Sequence, residues 1–287
     1  MIGQIKNILV PVDFSENTDV AISKALEFCQ EENDSTIHLY HIQRIVLGGF
    51  SYIISSVVAG YTRQQVNSDI KKATIKLENL KKSIEKDRKN IKILCWVSFG
   101  DPVQESIIKK ARELSADLII IGKHSHHTLL PFLNTVVPSK LAAATHTPVL
   151  TAKPGSLHHE IKTVVIPVGN QFPETKLEMI RAFRSKSRPH IRFVIFPGDG
   201  TGTSDPRQLL IHTFRTFKSR FSNPVDYDIL DSGNKARALL KYCNKVGADV
   251  LIVYHGSETR VGNWVNSHIS DLVPAESKTQ ILSVTPA

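Results

Sequence analysis

The chain is written twice. Lys6–Ser15 (KNILVPVDFS) recurs as Lys162–Gln171 (KTVVIPVGNQ), 156 residues further on. Ser115–Ser125 (SADLIIIGKHS) recurs as Gly247–Ser257 (GADVLIVYHGS), and His146–Pro154 (HTPVLTAKP) as Lys278–Pro286 (KTQILSVTP), each 132 residues further on. Landmarks repeated in one order mean a single supersecondary unit used twice. The offsets differ by 24 residues, so the second copy has lost that much between its first and fourth apolar runs. The surplus in the first copy falls in the uncharged stretch Ile45–Thr62 and the long helical pattern that follows it. The expected domains are residues 1–153 and 160–287, joined across Lys153–Ile161 (KPGSLHHEI), a polar linker with Pro and Gly.

Within each copy, short apolar runs alternate with amphipathic stretches. The first copy offers strands at Asn7–Val12, Thr36–Ile42, Ile91–Val97, Asp117–Gly122 and Pro148–Thr151; the second at Thr163–Val168, Ile191–Phe196, Val225–Leu230, Asp249–Tyr254 and Gln280–Val284. Runs such as Ile119–Ile121 are apolar on both faces, as in parallel strands covered by helices on each side. Strand–helix alternation of this kind predicts right-handed βαβ units and an α/β, doubly wound sheet. Ser15 is a suitable N-cap with Glu16 in the first turn, and Ala21, Ala25, Leu26 and Phe28 follow as a core face. Asp101-Pro102 opens a later helix, with Asp as cap and Pro in the first turn, showing Val103, Ile107, Ile108 and Ala111 inward.

Composition enters at three points. The three cysteines, Cys29, Cys95 and Cys243, are odd in number and far apart, which suits packed free thiols in a reducing, cytoplasmic compartment. The residues from Met1 to Lys6 run straight into a strand pattern, without the layout of a secretory leader. The segment 45–62 is barely long enough to span a bilayer and is diluted by Gly and Ser, so it reads as a packed connection, with a lid or docking surface as the alternative. The net charge of +9 is compatible with an anionic partner. Its densest part, Lys71–Lys92, carries Ile75, Leu77, Leu80 and Ile84 at roughly helical spacing and no interleaved aromatics. It reads as a solvated helix face, and nucleic acid is not an expected partner.

In an open parallel sheet, ligands bind beyond the carboxyl ends of the strands where the strand order reverses. If the first and fourth strands are neighbours, Asp13 at the end of Pro11-Val12-Asp13 and the loop Gly122–His127 face one crevice. A carboxylate there accepts hydrogen bonds from a base amino group or a ribose hydroxyl, and a loop leading to a helix can hold phosphates.

On ILVPVDFS, ADLIIIGKHS and HTPVLTAKP, in this order and spacing, the whole chain resembles a tandem universal stress protein. The resemblance implies five-stranded parallel sheets of order 3-2-1-4-5, two domains paired through their fifth strands (Val149–Thr151 with Ile281–Val284) as an intramolecular pseudodimer, and a stress-related role. Nucleotide-binding members carry Gly-x-x-Gly, nine residues, then Gly-Ser or Gly-Thr. Here Gly122 fills the first position, Ser125 replaces the second glycine, and Thr135-Val136 stand where Gly-Ser would. The strand-end acid is kept as Asp13, and Ile42 matches the apolar neighbour of the base. His124 sits where members often carry His or Arg. The implied ligand is ATP with Mg²⁺, bound through Pro11, Val12, Asp13, Ile42, Gly122, His124, Ser125, Thr135 and Val136. The departures weaken the phosphate end more than the base end, since Ser and Thr lack glycine's freedom.

The second copy is poorer. Its first strand ends in Pro167-Val168-Gly169, without the acid; Val253 is read at the first glycine, Gly256 at the second, and Asn266-Ser267 at the Gly-Ser pair. Gly198–Gly202 (GDGTG) is a weak phosphate signal that reads as a loop. Two other functions stay open: an interaction scaffold with no small ligand, its partner a protein or a second copy of the chain, and a metal site in which His124, His126 or His127 binds Zn, Ni or Cu with Asp13 completing it; His158-His159 is a weaker metal candidate. No Ser/His/Asp arrangement or paired carboxylates stand out, and the segment after the first strand, DFSEN, lacks the glycines of adenylating ligases. The expectation is a binding protein and not an enzyme.

Overall fold

Two carboxylates in equivalent places show how the repeat folds. In the computed structural model, Asp117 Oδ2 accepts the backbone N–H groups of Lys6 and Asn7, both at 2.9 Å. Asp249 Oδ2 accepts those of Lys162 and Thr163 at 2.9 and 2.8 Å. Two threonines repeat in the same way: Thr147 Oγ1 donates to the Ala116 carbonyl at 3.1 Å and Thr279 Oγ1 to the Ala248 carbonyl at 2.8 Å. These bonds tie the entry of each fourth strand to the first strand and to the turn before the fifth. Asp249→Ala would strand two N–H donors and the Lys278 ammonium, which lies 2.8 Å from Oδ1. The expected loss is about 2 kcal/mol, read as a lower urea midpoint with an unchanged slope; an unaltered midpoint would show that the clamp is dispensable.

The structure describes residues 5–29, 35–43, 63–88, 91–99, 102–123, 136–169, 171–183, 188–196, 205–231, 234–258 and 269–286. The elements of the first half are β1 (Asn7–Val12), α1 (Glu16–Phe28), β2 (Thr36–Gln43), α2 (Arg63–Asp87), β3 (Lys92–Phe99), α3 (Val103–Glu113), β4 (Leu118–Gly122), α4 (Pro138–Thr145) and β5 (Val149–Ala152). Those of the second are β6 (Thr163–Pro167), α5 (Glu174–Ile180), β7 (His190–Ile195), α6 (Pro206–Arg220), β8 (Val225–Ile229), α7 (Lys235–Val246), β9 (Val250–Tyr254), α8 (His255–Glu258), α9 (Ile269–Leu272) and β10 (Gln280–Val284).

The strands form one ten-stranded sheet among the described residues, in the order β3-β2-β1-β4-β5-β10-β9-β6-β7-β8. Each half therefore has the expected order 3-2-1-4-5, and all pairs inside a half are parallel. The halves meet where β5 and β10 run antiparallel, with Thr151, Leu150 and Val149 opposite Ile281, Leu282 and Ser283. The expected pairing of the fifth strands is thus observed: two five-stranded sheets are fused edge to edge, which satisfies two sheet edges that would otherwise be exposed.

Helices cover both faces. One face carries a continuous core from both halves, with Ala21, Ala25 and Phe28 of α1, Leu77 of α2, Leu177 of α5 and Phe217 of α6. On the other face, α3 and α4 cover the first half through Ile107, Ile108, Leu141 and Ala142, and α7 covers the second through Leu239 and Cys243. Ser15 is the N-cap of α1, its side chain accepting from Asn17 N–H. The cap of α3 differs from expectation. Pro102 itself is the N-cap and makes no side-chain bond, while Asp101 lies outside the described residues. On α2 the inward face is Ala73, Leu77 and Ile84, with Leu80 packed against it, but Ile75 is 53% exposed. It sits two residues from Leu77, about 200° around the helix, and so on the wrong side.

The linker is more ordered than its composition suggests. Pro154–Ser156 form a 3₁₀ turn, Gly155 N–H donates to the Ala275 carbonyl at 2.8 Å, and Lys24 Nζ reaches the His159 carbonyl at 2.6 Å. Burial pushes the thiols up, Cys29 and Cys243 to about 12 and Cys95 to about 11, which disfavours the reactive thiolate form. Among the described residues no helix is long and apolar enough to cross a membrane. Residues 45–62 and 198–202 lie outside them.

Candidate functional site at the carboxyl ends of β1 and β4

β1 and β4 are neighbours, with Ile8 opposite Leu118 and Leu9 opposite Ile119. Their carboxyl ends therefore lie side by side, the condition on which the sequence places a site there. Pro11 and Val12 end β1 and are buried. Asp13 follows, and the chain then turns through Phe14, whose φ of +59° lies in the left-handed region. A bulky residue held there is strained and is kept by its surroundings. The Phe14 ring lies 4.7 Å from the His41 ring, and Lys76 Nζ stands 5.6 Å from the Phe14 centroid.

Asp13 is positioned by its own loop. Its Oδ1 accepts from Ser15 N–H at 3.1 Å, Ser15 Oγ at 2.6 Å and Thr18 Oγ1 at 3.0 Å. Its Oδ2 is buried and has no hydrogen-bond partner among the described residues. One oxygen thus orients the carboxylate and the other is left to accept a bond. An unfilled buried acceptor costs roughly 1–3 kcal/mol, which a donor supplied by a ligand would recover. Beside it, His41 Nδ1 lies 2.8 Å from the Val12 carbonyl. Burial, the largest influence, lowers the His41 pKa, against the opposing pull of the Val12 bond and of Asp13. The Val12 carbonyl can only accept, so Nδ1 is the donor in this bond, and burial favours the neutral ring. Ile42 is buried on β2 with Leu9 and Tyr40.

Gly122 ends β4 in a place that permits no side chain. A Cβ there would lie 1.9 Å from the backbone oxygen of Asn17 in α1. Its established role is the close approach of α1 to β4, a requirement separate from any phosphate. Val136 is wholly buried, and its carbonyl accepts Lys123 Nζ at 3.2 Å. His124, Ser125, His126, His127 and Thr135 lie outside the described residues. His158 and His159 are exposed on the linker, and the described residues contain no group of three His, Cys, Asp or Glu arranged to hold a metal.

The family model for the "Universal stress protein family" matches residues 4–153, which is just over half of the chain. The chain belongs to the universal stress protein family. Universal stress protein MJ0577 of Methanocaldococcus jannaschii is 28% identical over 156 residues, covering 52% of this chain and 94% of that protein. Universal stress protein A homolog 1 of Coxiella burnetii is 27% identical over 143 residues, covering 49% of this chain and 91% of that protein. A universal stress protein from Archaeoglobus fulgidus has the same fold along the whole length: TM-score 0.69 at 16% identity, covering 99% of this chain and 97% of that one.

In this universal stress protein the second crevice is differently made. β9 pairs with β10 so that Tyr254 lies opposite Val284, as Gly122 lies opposite Ala152 in the first half. The first-glycine position of the second copy is therefore Tyr254 and not Val253, a correction of one residue. Gly169 replaces Asp13, with nothing within 4 Å of where its Cβ would be. Lys176, from α5, sends Nζ to the Pro167 carbonyl at 2.7 Å and over the Tyr254 ring at 4.2 Å. The protein's own ammonium and phenol ring thus meet at the carboxyl ends of β6 and β9. Sequence reading passed over Ser15, Thr18 and His41 in the first site. The first two were legible as hydroxyls two and five residues past Asp13; His41 was not, because only strand register puts it there.

Proposed function

We propose that this universal stress protein is a non-catalytic, cytoplasmic stress-response module that binds one adenine nucleotide, ATP with Mg²⁺, in the crevice of its first half, while the second half serves as its structural partner in a pseudodimer. The observation that carries this reading is the buried, unpartnered Asp13 Oδ2, fixed through the other oxygen by three donors at the end of β1. A carboxylate so held suits the amino group of a base or a ribose hydroxyl. The Phe14–His41 ring pair stands at the same strand ends, 4.7 Å between centroids. The loss of the strand-end acid in the second half, where Gly169 stands in place of Asp13, supports a single site per chain.

The test is calorimetric titration of metal-free protein with ATP and Mg²⁺. Saturable binding at one site per chain is expected, weakened on the order of 10- to 100-fold in Asp13→Ala, the effect of removing a hydrogen bond to a charged group. Absence of heat up to millimolar ATP would leave the duplicated fold as an interaction scaffold whose partner is a protein.

A further inference from the structure

At the seam between the halves the structure buries more positive than negative charge. Lys123 follows Gly122 at the end of β4, and Lys153 follows Ala152 at the end of β5. Gly122 and Ala152 are register partners, and Lys123 N–H donates to the Ala152 carbonyl at 3.0 Å, so the two lysines leave adjacent strands side by side. Thr151, two residues before Lys153, has a fully buried hydroxyl without a partner. From the second half, Asp271 of α9 places Oδ1 2.8 Å from Lys123 Nζ. Its neighbour Ser270 is fully buried, with no partner for Oγ among the described residues.

Lys153 has no such partner. Its side chain is 0% exposed and its Nζ makes no hydrogen bond among the described residues. Lys123 is already engaged, by Asp271 and by the Val136 carbonyl. A buried ammonium with three unused donors is among the most costly groups a fold can keep. Burial foremost, and then the charge of Lys123, lower its pKa to about 8 against the opposing pull of Asp271. At neutral pH it is still mostly protonated. Two lysines thus face one carboxylate, leaving one positive charge and three donors unanswered.

We propose that the seam is an anion site, in which Lys153 Nζ, with Lys123 and the Ser270 hydroxyl beside it, binds a phosphate-type oxyanion and so ties the two halves together. A tetrahedral oxyanion has enough acceptors to take the ammonium and hydroxyl donors at once. The site uses residues from both halves, which explains a feature the nucleotide reading leaves unused, and it does not depend on that reading. The phosphoryl group has two sources, free inorganic phosphate or the polyphosphate end of a nucleotide, and the experiment separates them.

Full-length protein freed of phosphate is titrated with inorganic phosphate, ATP and adenosine, as wild type, Lys153→Met and Asp13→Ala, and melted with 10 mM phosphate, on the order of saturation for a weak site, or with sodium chloride of equal ionic strength. If the source is free phosphate, phosphate raises the wild-type Tm above the chloride control, Lys153→Met loses that gain, and Asp13→Ala keeps it. If the source is a nucleotide tail, ATP binds Lys153→Met about tenfold or more weakly than wild type, whereas adenosine binding is unchanged. The inference is overturned when neither phosphate nor ATP binds Lys153→Met more weakly than wild type. It is overturned without any variant when neither phosphate nor ATP stabilises the unsubstituted chain beyond chloride. Lys153→Gln repeats the comparison should the methionine variant not fold. Loss of ATP binding in Asp13→Ala with phosphate binding intact separates the two sites.

Discussion

Gly122→Ala is expected to lower the stability of the protein by about 3 kcal/mol, whether or not a nucleotide is present. The methyl group would stand 1.9 Å from the Asn17 carbonyl oxygen and 2.5 Å from its carbon. Both are backbone atoms of α1's first turn, so no side-chain rotation relieves the overlap. The helix must lift from β4, and its buried residues Ala21, Ala25 and Phe28 would lose packing with it. Asp13 is also attached to this turn through Ser15 and Thr18, so the same displacement disorders the carboxylate. Urea unfolding of Gly122→Ala, followed by far-ultraviolet circular dichroism, should show a lower midpoint, and any nucleotide affinity should fall with it. A variant as stable as wild type would mean that α1 does not lie this close. A stable variant with weakened nucleotide binding would return Gly122 to the role its place in the glycine pattern implies.

Lys176→Met is expected to stabilise the protein below pH 7 and to flatten its stability profile above it. Burial of the Lys176 ammonium lowers its pKa from 10.5 to about 7. In the unfolded chain the amine keeps its proton up to its ordinary pKa, whereas in the folded protein it gives the proton up near neutrality. Between these two values the unfolded state holds more protons, so stability rises with pH through that window. Below it, the folded protein carries the full cost of the buried charge. The Pro167 carbonyl and the Tyr254 ring offset part of that cost. The gain on substitution at pH 6 is therefore on the order of 2–3 kcal/mol, less than the whole shift would give. Urea midpoints at pH 6 and at pH 9.5 read the effect. Wild type should gain stability between them from this group, and Lys176→Met should not. Equal slopes in the two proteins would show that Lys176 is solvated or remains charged throughout.

Both predictions concern equivalent crevices of one duplicated unit, and they show how the copies diverged. In the first half a glycine lets a 13-residue helix reach the sheet and hold an acid at its end. In the second half Tyr254 takes that position, the corresponding helix α5 has 7 residues, and a lysine stands over the Tyr254 ring. Reading Val253 at this position conflicts with the 132-residue offset of the repeat, which carries Gly122 to position 254. Strand pairing with β10 agrees with that offset.

The amino-acid sequence by itself determined the duplication, the ten strands within a residue or two at each end, the buried faces of α1 and α3, and Asp13 as the acid at a strand end. These rest on short-range patterns: apolar runs, helical spacing, a capping serine, and the order of landmarks along the chain. The tertiary structure alone decided that KPGSLHHEI opens with a packed turn, that Gly122 serves a helix contact, and that Lys123, Lys153 and Asp271 meet. Each of these depends on residues far apart in the chain: Asp271 lies 148 residues beyond Lys123. Local propensity carries no information about which distant group will arrive beside a buried charge; only the pairing of β5 with β10 does.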